Sequence, residues 1–188
     1  MKKILWLLML CFFAVTVYAK TNESLENIFS RTSIRSYTDK KVDKEKVDLM
    51  IQAAMSAPSA MNYQPWEFIV ITDKKILKKL AKIAPNAAYV KDSRLTFVIC
   101  GDTTTSEKFW IQDCCAATEN LLLAANSLGL GAVWCAVYPF DEKVKDIKKL
   151  LDLPENIIPL NIIPVGYYKG EVTPKDKYNK FKIHNNKW

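Results

Sequence analysis

The chain has 188 residues, 49% of them apolar and 25% charged, with 27 lysines and arginines against 20 aspartates and glutamates and a net charge of +7. This composition suits one folded domain with a sizeable core, and it excludes a disordered chain, a repeat array or a fibre. A basic balance admits nucleic acid in principle, but the lysines are spread along helical runs such as Lys74, Lys75, Lys78, Lys79 and Lys82, the pattern of solvated faces, so no nucleic-acid partner is expected.

The first element is a targeting segment. Lys2 and Lys3 precede an apolar run from Ile4 to Val17, and Val17 and Ala19 put small residues at the two positions a signal peptidase reads. A secretory signal over 1–19, cleaved after Ala19, is expected, leaving a domain over 20–188 that is exported to the periplasm. The competing reading is a membrane anchor, but the run is short for a span and no second one like it follows. Cys11 follows Leu10 inside the run, unlike the cysteine of a lipoprotein signal.

In chain order, Asn22 to Ser30 predicts a short helix with Leu25, Ile28 and Phe29 on one face. Residues 31–37 read as a loop or extended segment. Asp43 is a candidate N-cap for a second helix, along which Val47, Met50, Ile51, Ala54 and Met55 recur at helical spacing until Pro58. After a loop over Ser59 to Gln64, Trp66 to Ile71 reads as a strand, Asp73 caps a third helix, and Leu95 to Cys100 is a second strand. The stretch from Trp110 to Leu128 predicts a helix apolar on several faces, hence buried on more than one side and a candidate for a subunit interface, with Gly129 closing it. Gly131 to Tyr138 reads as a strand, Asp141 as the cap of another helix, and Leu160 to Tyr167 as a last strand that tolerates Pro164 only at an edge or a bulge. The tail from Lys169 to Trp188 is polar with apolar punctuation and is expected to wrap a neighbour. Strands and helices without a regular βαβ rhythm give an α+β class, a central mixed or antiparallel sheet flanked by helices.

What is missing narrows the chemistry. A single histidine, His184, gives no Ser-His or Cys-His relay, and Cys100, Cys114, Cys115 and Cys135 show no metal-binding spacing, so no metal is expected and buried free thiols are the simpler reading. A disulfide from Cys100 or Cys135 to the apolar helix is the alternative in an oxidising compartment. No catalytic side chain is nominated, which points to chemistry carried by an organic cofactor. Two segments stand out as ligand readers. In extended backbone Arg31, Ser33 and Arg35 project to one side, with Thr32 between them, a grouping suited to a phosphate; a solvated loop fits the same spacing equally well. The loop Ala57-Pro58-Ser59-Ala60-Met61-Asn62-Tyr63-Gln64-Pro65 is held by prolines and offers Ser59, Asn62 and Gln64 to the edge of a planar heterocycle; taken alone, an ordinary helix-to-strand turn is the simpler reading.

Together, Arg31-Thr32-Ser33-Ile34-Arg35-Ser36-Tyr37, the Ala57 to Trp66 loop leading into Glu67-Phe68-Ile69-Val70, and the later Leu128-Gly129-Leu130-Gly131-Ala132-Val133-Trp134 resemble the nitroreductase family over about Glu23 to Trp188. The resemblance implies an intertwined homodimer with FMN at the interface, reduced by NAD(P)H and reoxidised by a nitroaromatic, quinone or similar acceptor. It implies Arg31 and Ser33 near the phosphate and ribityl chain, and Arg35 near the N1–C2=O edge. It implies Pro58, Ser59 and Asn62 reaching across from the other subunit, the Gly131–Ala132 backbone along the ring, and Lys175 or Lys177 assisting at the phosphate. No long insertion is present to form a lid. Export sits uneasily with a nicotinamide donor, which is scarce outside the cytoplasm. The alternatives are a flavin electron carrier or redox sensor, a dehalogenase-like or flavin destructase-like member, and a basic module without cofactor.

Overall fold

The computed structural model describes residues 22–188; the expected leader over 1–19 lies outside the described residues. Asn22 caps α1 (Glu23–Ser30), its side chain accepting the Leu25 N–H. The apolar face of α1 is uncovered within one chain: Leu25, Ile28 and Phe29 are 41%, 49% and 61% exposed. The next helix is α2 (Lys44–Met55). Asp43 stands at its N-cap position as expected, but its side chain makes no capping bond; its carboxylate lies 3.5 Å from the Tyr167 hydroxyl instead. The capping expected at Asp73 is present, with Oδ1 accepting the N–H groups of Lys75 and Ile76 at the start of α3 (Lys74–Ile83).

The long helix, α4 (Trp110–Ser127), closes on Gly129 at φ +72. The Gly129 N–H donates to Asn126 and the Leu130 N–H to Ala125, the paired bonds of a Schellman ending. α5 (Asp141–Leu151) corrects the sequence reading by one residue: Phe140 holds the cap position and Asp141 is the first helical residue, where its charge suits the helix's positive end.

Five strands form one sheet: β1 (Trp66–Ile71), β2 (Leu95–Asp102), β3 (Gly131–Ala132), β4 (Cys135–Ala136) and β5 (Ile157–Gly166), in the order β1-β2-β5-β3, with β4 also on β5. All these ladders are antiparallel. The period of two along β2 divides the core. Leu95, Phe97 and Ile99 pack with Met50 of α2 and Leu121 of α4, whereas Val98 and Cys100 pack with Leu77 of α3 and Ile147 of α5. The sheet is thus covered on both faces, the α+β layering expected. Leu160 is the extra residue of a bulge, since Ile99 pairs with Asn161 and Cys100 with Pro159.

Two expectations are corrected here. Gly131 to Tyr138 is not one strand; β3 and β4 are two-residue strands separated at Val133-Trp134. Pro164 is in the interior strand β5, neither at an edge nor in the bulge. Its carbonyl accepts the Tyr37 hydroxyl, so its nitrogen faces the same side, opposite the break between β3 and β4 where no ladder bond is lost. The four cysteines within 22–188 are free, and three of them are buried.

Candidate functional site

The segment that follows α1 is held in place from two directions. Arg31 caps α1, its N–H returning to the Asn27 carbonyl. Ser33 then forms a parallel bridge with Ala132, and the Ile34 N–H donates to the Ala132 carbonyl at 2.9 Å. Gly131 is required here, because a Cβ on it would sit 2.6 Å from Ile34 Cγ2. The buried Tyr37 supplies the second tie: its hydroxyl faces the carbonyls of Ile34 at 2.7 Å and Pro164 at 3.1 Å. Burial, chiefly, pushes the Tyr37 phenol well up, so the hydroxyl keeps its proton and remains a donor.

This scaffolding presents Arg31, Thr32, Ser33 and Arg35 to one cavity of about 190 Å³, and the tail brings Lys175 and Lys177 to the same cavity. Four cationic side chains and two hydroxyls thus converge, an arrangement for a multiply charged anion such as a phosphate ester. Arg31 is already engaged: its Nε is 3.3 Å from Glu119 on α4, and its side chain is 17% exposed. Next to this cavity, a wider apolar hollow of about 820 Å³ runs between Ile28 and Phe29 of α1 and the tail residues Pro174 and Tyr178.

The proline-flanked loop is strained. Met61, Asn62 and Gln64 all have positive φ, at 51°, 58° and 52°. Hydrogen bonds offset the strain. The Gln64 N–H donates to Ser59 Oγ at 3.0 Å, Gln64 Nε2 to Asn62 Oδ1 at 2.9 Å, and the Ala60 N–H to the buried carboxylate of Asp113 at 2.9 Å. Within one chain, Pro58, Ser59, Asn62 and Gln64 line neither the phosphate-sized cavity nor the pocket described next.

That pocket, of about 270 Å³, includes Asn86, Tyr89, Trp134, Cys135, Phe140 and Lys143 in its lining. Asn86 and Tyr89 belong to a 3-10 segment, Pro85–Asp92, between α3 and β2. The Tyr89 hydroxyl is 3.4 Å from Cys135 Sγ. Lys143 Nζ lies 4.1 Å from the centre of the Phe140 ring. Arg35 lines the first cavity; in the second, burial pushes the Cys135 thiol up, against the Tyr89 contact and the positive charges of Arg35 and Lys143. Burial pushes the Tyr89 phenol up to about 12, with the Cys135 contact adding to the rise and Arg35 opposing it.

Arg31, Thr32, Ser33, Arg35, Lys175 and Lys177, the residues expected at the phosphate and ring ends from the sequence, line one cavity. The sequence reading also found Gly131 and Ala132, and the structure places them directly beside Ser33 and Ile34. It missed Asp113, Glu119, Asn86, Tyr89 and Cys135 as site residues. Asp113 had a legible signal, a lone acid at the start of an apolar helix; Asn86 and Tyr89 had none, lying in a segment without periodicity.

The Nitroreductase family model matches residues 28–111 and 101–167. The chain belongs to the nitroreductase family. This nitroreductase-family protein is 50% identical to a Parabacteroides distasonis protein named provisionally as an NADH dehydrogenase/NAD(P)H nitroreductase, whose crystal structure superposes with a TM-score of 0.88, covering 89% of this chain and 100% of that one. A Methanothermobacter thermautotrophicus protein of the same provisional name is 42% identical over 166 residues, 87% of each chain. A nitroreductase-like protein from Desulfovibrio desulfuricans, solved in complex with FMN, is 28% identical with a TM-score of 0.77, covering 89% of this chain and 99% of its own.

Proposed function

We propose that this nitroreductase-family protein is an FMN-dependent oxidoreductase, a homodimer that takes electrons from NAD(P)H and passes them to a nitroaromatic, a quinone or a similar acceptor. The observation that carries the reading is the cavity where Arg31, Arg35, Lys175 and Lys177 meet the hydroxyls of Thr32 and Ser33. A phosphate monoester carries close to two negative charges, and Arg31 with Lys175 or Lys177 and the hydroxyl donors fits it, leaving Arg35 for the ring end. The FMN complex of the Desulfovibrio relative supports the choice of mononucleotide.

Bound FMN supplies the hydride chemistry. The chain's residues bind and tune. Arg31 and Ser33, with Lys175 or Lys177, hold the phosphate end, and Glu119 keeps the Arg31 guanidinium oriented through their ion pair. Arg35 would bring a positive charge to the ring end, where it would stabilise negative charge. The backbone of Gly131 and Ala132, packed closely against Ile34 and Ser33 because Gly131 has no Cβ, would lie along the ring.

The homodimer is supported by surfaces that one chain leaves uncovered. The apolar face of α1 is one, and Tyr178, Phe181, Ile183 and Trp188 of the tail are 78%, 81%, 52% and 101% exposed. A twofold mate also accounts for the strained Pro58, Ser59, Asn62 and Gln64 loop, which in this reading serves the partner's cofactor. Export is the other part of the proposal. It rests on the charge pattern and small-residue signature of residues 1–19, and N-terminal sequencing of protein recovered from cell fractions tests it.

The purified protein should be a yellow dimer with a flavin spectrum. Anaerobic titration with NADH, NADPH and small thiols identifies the donor, and repeated turnover with a nitroaromatic separates an enzyme from a carrier. A colourless monomer that takes up no added FMN ends the proposal.

A further inference from the structure

A second cation-lined hollow, of about 310 Å³, lies where the start of α3, the end of the 3-10 segment Pro85–Asp92 and the chain after β5 meet the residues from Tyr37 to Asp39. It shares no lining residue with the cavity of Arg31 and Arg35. Lys74 and Lys78 of α3, Lys91, Arg94 and Lys169 line it, against two carboxylates, Asp39 and Asp92, which leaves three positive charges in excess. Its frame is tied down. The Lys169 N–H donates to the Ser36 carbonyl at 3.3 Å. The buried Ser93 hydroxyl donates to the Val90 carbonyl at 2.8 Å and lies 2.9 Å from the Thr96 hydroxyl, setting the turn that carries Lys91 and Arg94.

Charge is placed here against the usual rules. Lys74 and Lys75 occupy the first turn of α3, the positive end of the helix dipole, where acids are favoured and none is present. The Asp73 cap is engaged with the N–H groups of Lys75 and Ile76. Lys74 and Lys78 stand four residues apart, a like-charge pair on one helix face. The Arg94 side chain is only 20% exposed and its Nε is buried without a partner; its one carboxylate, Asp39, is 95% exposed and so neutralises it weakly. Among the described residues no carboxylate pairs with Lys74, Lys78, Lys91 or Lys169. Departures from local charge rules concentrate at functional sites, and the element missing from this one is an anion.

We propose that this hollow is a second anion site, for a diphosphate group held by Lys74, Lys78, Lys91, Arg94 and Lys169. Cations converging on a concavity from separate segments suit the several oxygens of two linked phosphates better than a single carboxylate. The excess of three charges calls for a multiply charged ligand rather than a monoanion. Free pyrophosphate and the diphosphate of a nucleotide share this chemistry.

FMN-saturated protein, its first cavity filled, is titrated with pyrophosphate and with ADP by calorimetry and followed by thermal melt. Pyrophosphate should bind wild type and raise its melting temperature. The double variant Lys74→Ala/Lys78→Ala should weaken it about tenfold or more. The double variant Lys79→Ala/Lys82→Ala takes the same charge from the same helix, but from the hollow shared with α5, and should change the affinity by less than about twofold. Lys175→Ala, in the first cavity, should leave it unchanged. Tighter binding of ADP than of pyrophosphate assigns the site to a nucleotide, and the reverse assigns it to the free anion; both uphold it. Wild type that binds neither, equal weakening in the two lysine pairs, or weakening in Lys175→Ala overturns it. Protein that takes up no FMN overturns the function proposed above but not this site, because Lys175→Ala still reports any binding in the first cavity.

Discussion

Gly131→Ala is the sharpest test of how the phosphate-binding segment is positioned. The added Cβ would lie 2.6, 2.7 and 2.8 Å from Cγ2, Cβ and Cγ1 of Ile34. Carbon atoms rest at about 3.5–4.0 Å, so Ile34 must retreat by roughly 1 Å. A rotamer change does not suffice, because Ile34 Cβ is among the atoms struck and moves only with its backbone. That backbone carries the Ile34 N–H bond to Ala132 and the neighbouring Ser33 bridge, so the retreat pulls Arg31, Ser33 and Arg35 away from the wall of the cavity. Overpacking of this kind costs about 1–3 kcal/mol, or roughly 2–12 °C in melting temperature for a domain of this size. Loosening the contacts of Arg31 and Ser33 by the same distance should weaken FMN by about tenfold or more, the equivalent of about 1.4 kcal/mol. Fluorescence titration of FMN and a thermal melt measure both. Ile34→Ala in the Gly131→Ala background removes two of the three struck atoms and should restore part of the affinity. Wild-type affinity and stability in Gly131→Ala would refute the close-approach argument.

Three further outcomes follow from the site and core. Asp113→Ala deprives the Ala60 N–H of its acceptor and should cost about 1–3 kcal/mol in urea denaturation. Asp113→Asn keeps an acceptor for the Ala60 N–H and should lose less than Asp113→Ala; equal losses in both would show that the loop is not held there. Lys175→Ala and Lys177→Ala should each weaken FMN, with the salt dependence of binding reduced in whichever lysine touches the phosphate; identical salt slopes in both variants and wild type would remove the tail from the site. Stability should fall at high pH. Burial pushes Tyr89 and Cys100 up to about 12, and Tyr37 and Cys114 are also pushed up, so above pH of about 9 the unfolded chain releases protons that the folded chain keeps. The folded state then binds more protons, and its stability declines as pH rises toward those values, so the urea midpoint should be lower at pH 10.5 than at pH 7.5. Equal midpoints contradict the burial argument.

Much of this was legible in the chain because local signals agreed with the global fold. Trp66–Ile71 reads as a strand from its composition and is one. Asp73 and Gly129 mark helix ends by mechanisms that need no tertiary context. The readings that failed depended on distant partners. Pro164 looks unsuited to an interior strand until Tyr37 and the break between β3 and β4 are placed beside it. Asp43 and Asp141 carry the right side chains for capping, but one is drawn toward Tyr167 and the other starts a residue too late. In the site, extended geometry aligns Arg31, Ser33 and Arg35, a spacing that a solvated loop fits equally well, and the family resemblance of the segment is what made it legible. Tyr89 and Cys135 lie 46 residues apart and meet only through the sheet.

The break between β3 and β4 has a consequence beyond accommodating a proline. A continuous row of unpaired backbone groups along the outer side of a sheet invites another chain to add a strand, the first step toward aggregation. Here that margin is cut into two-residue pieces, and the segment through Ser33 lies across one of them. The stretch that presents the cation-lined cavity therefore also shields the flank of the sheet from promiscuous strand addition.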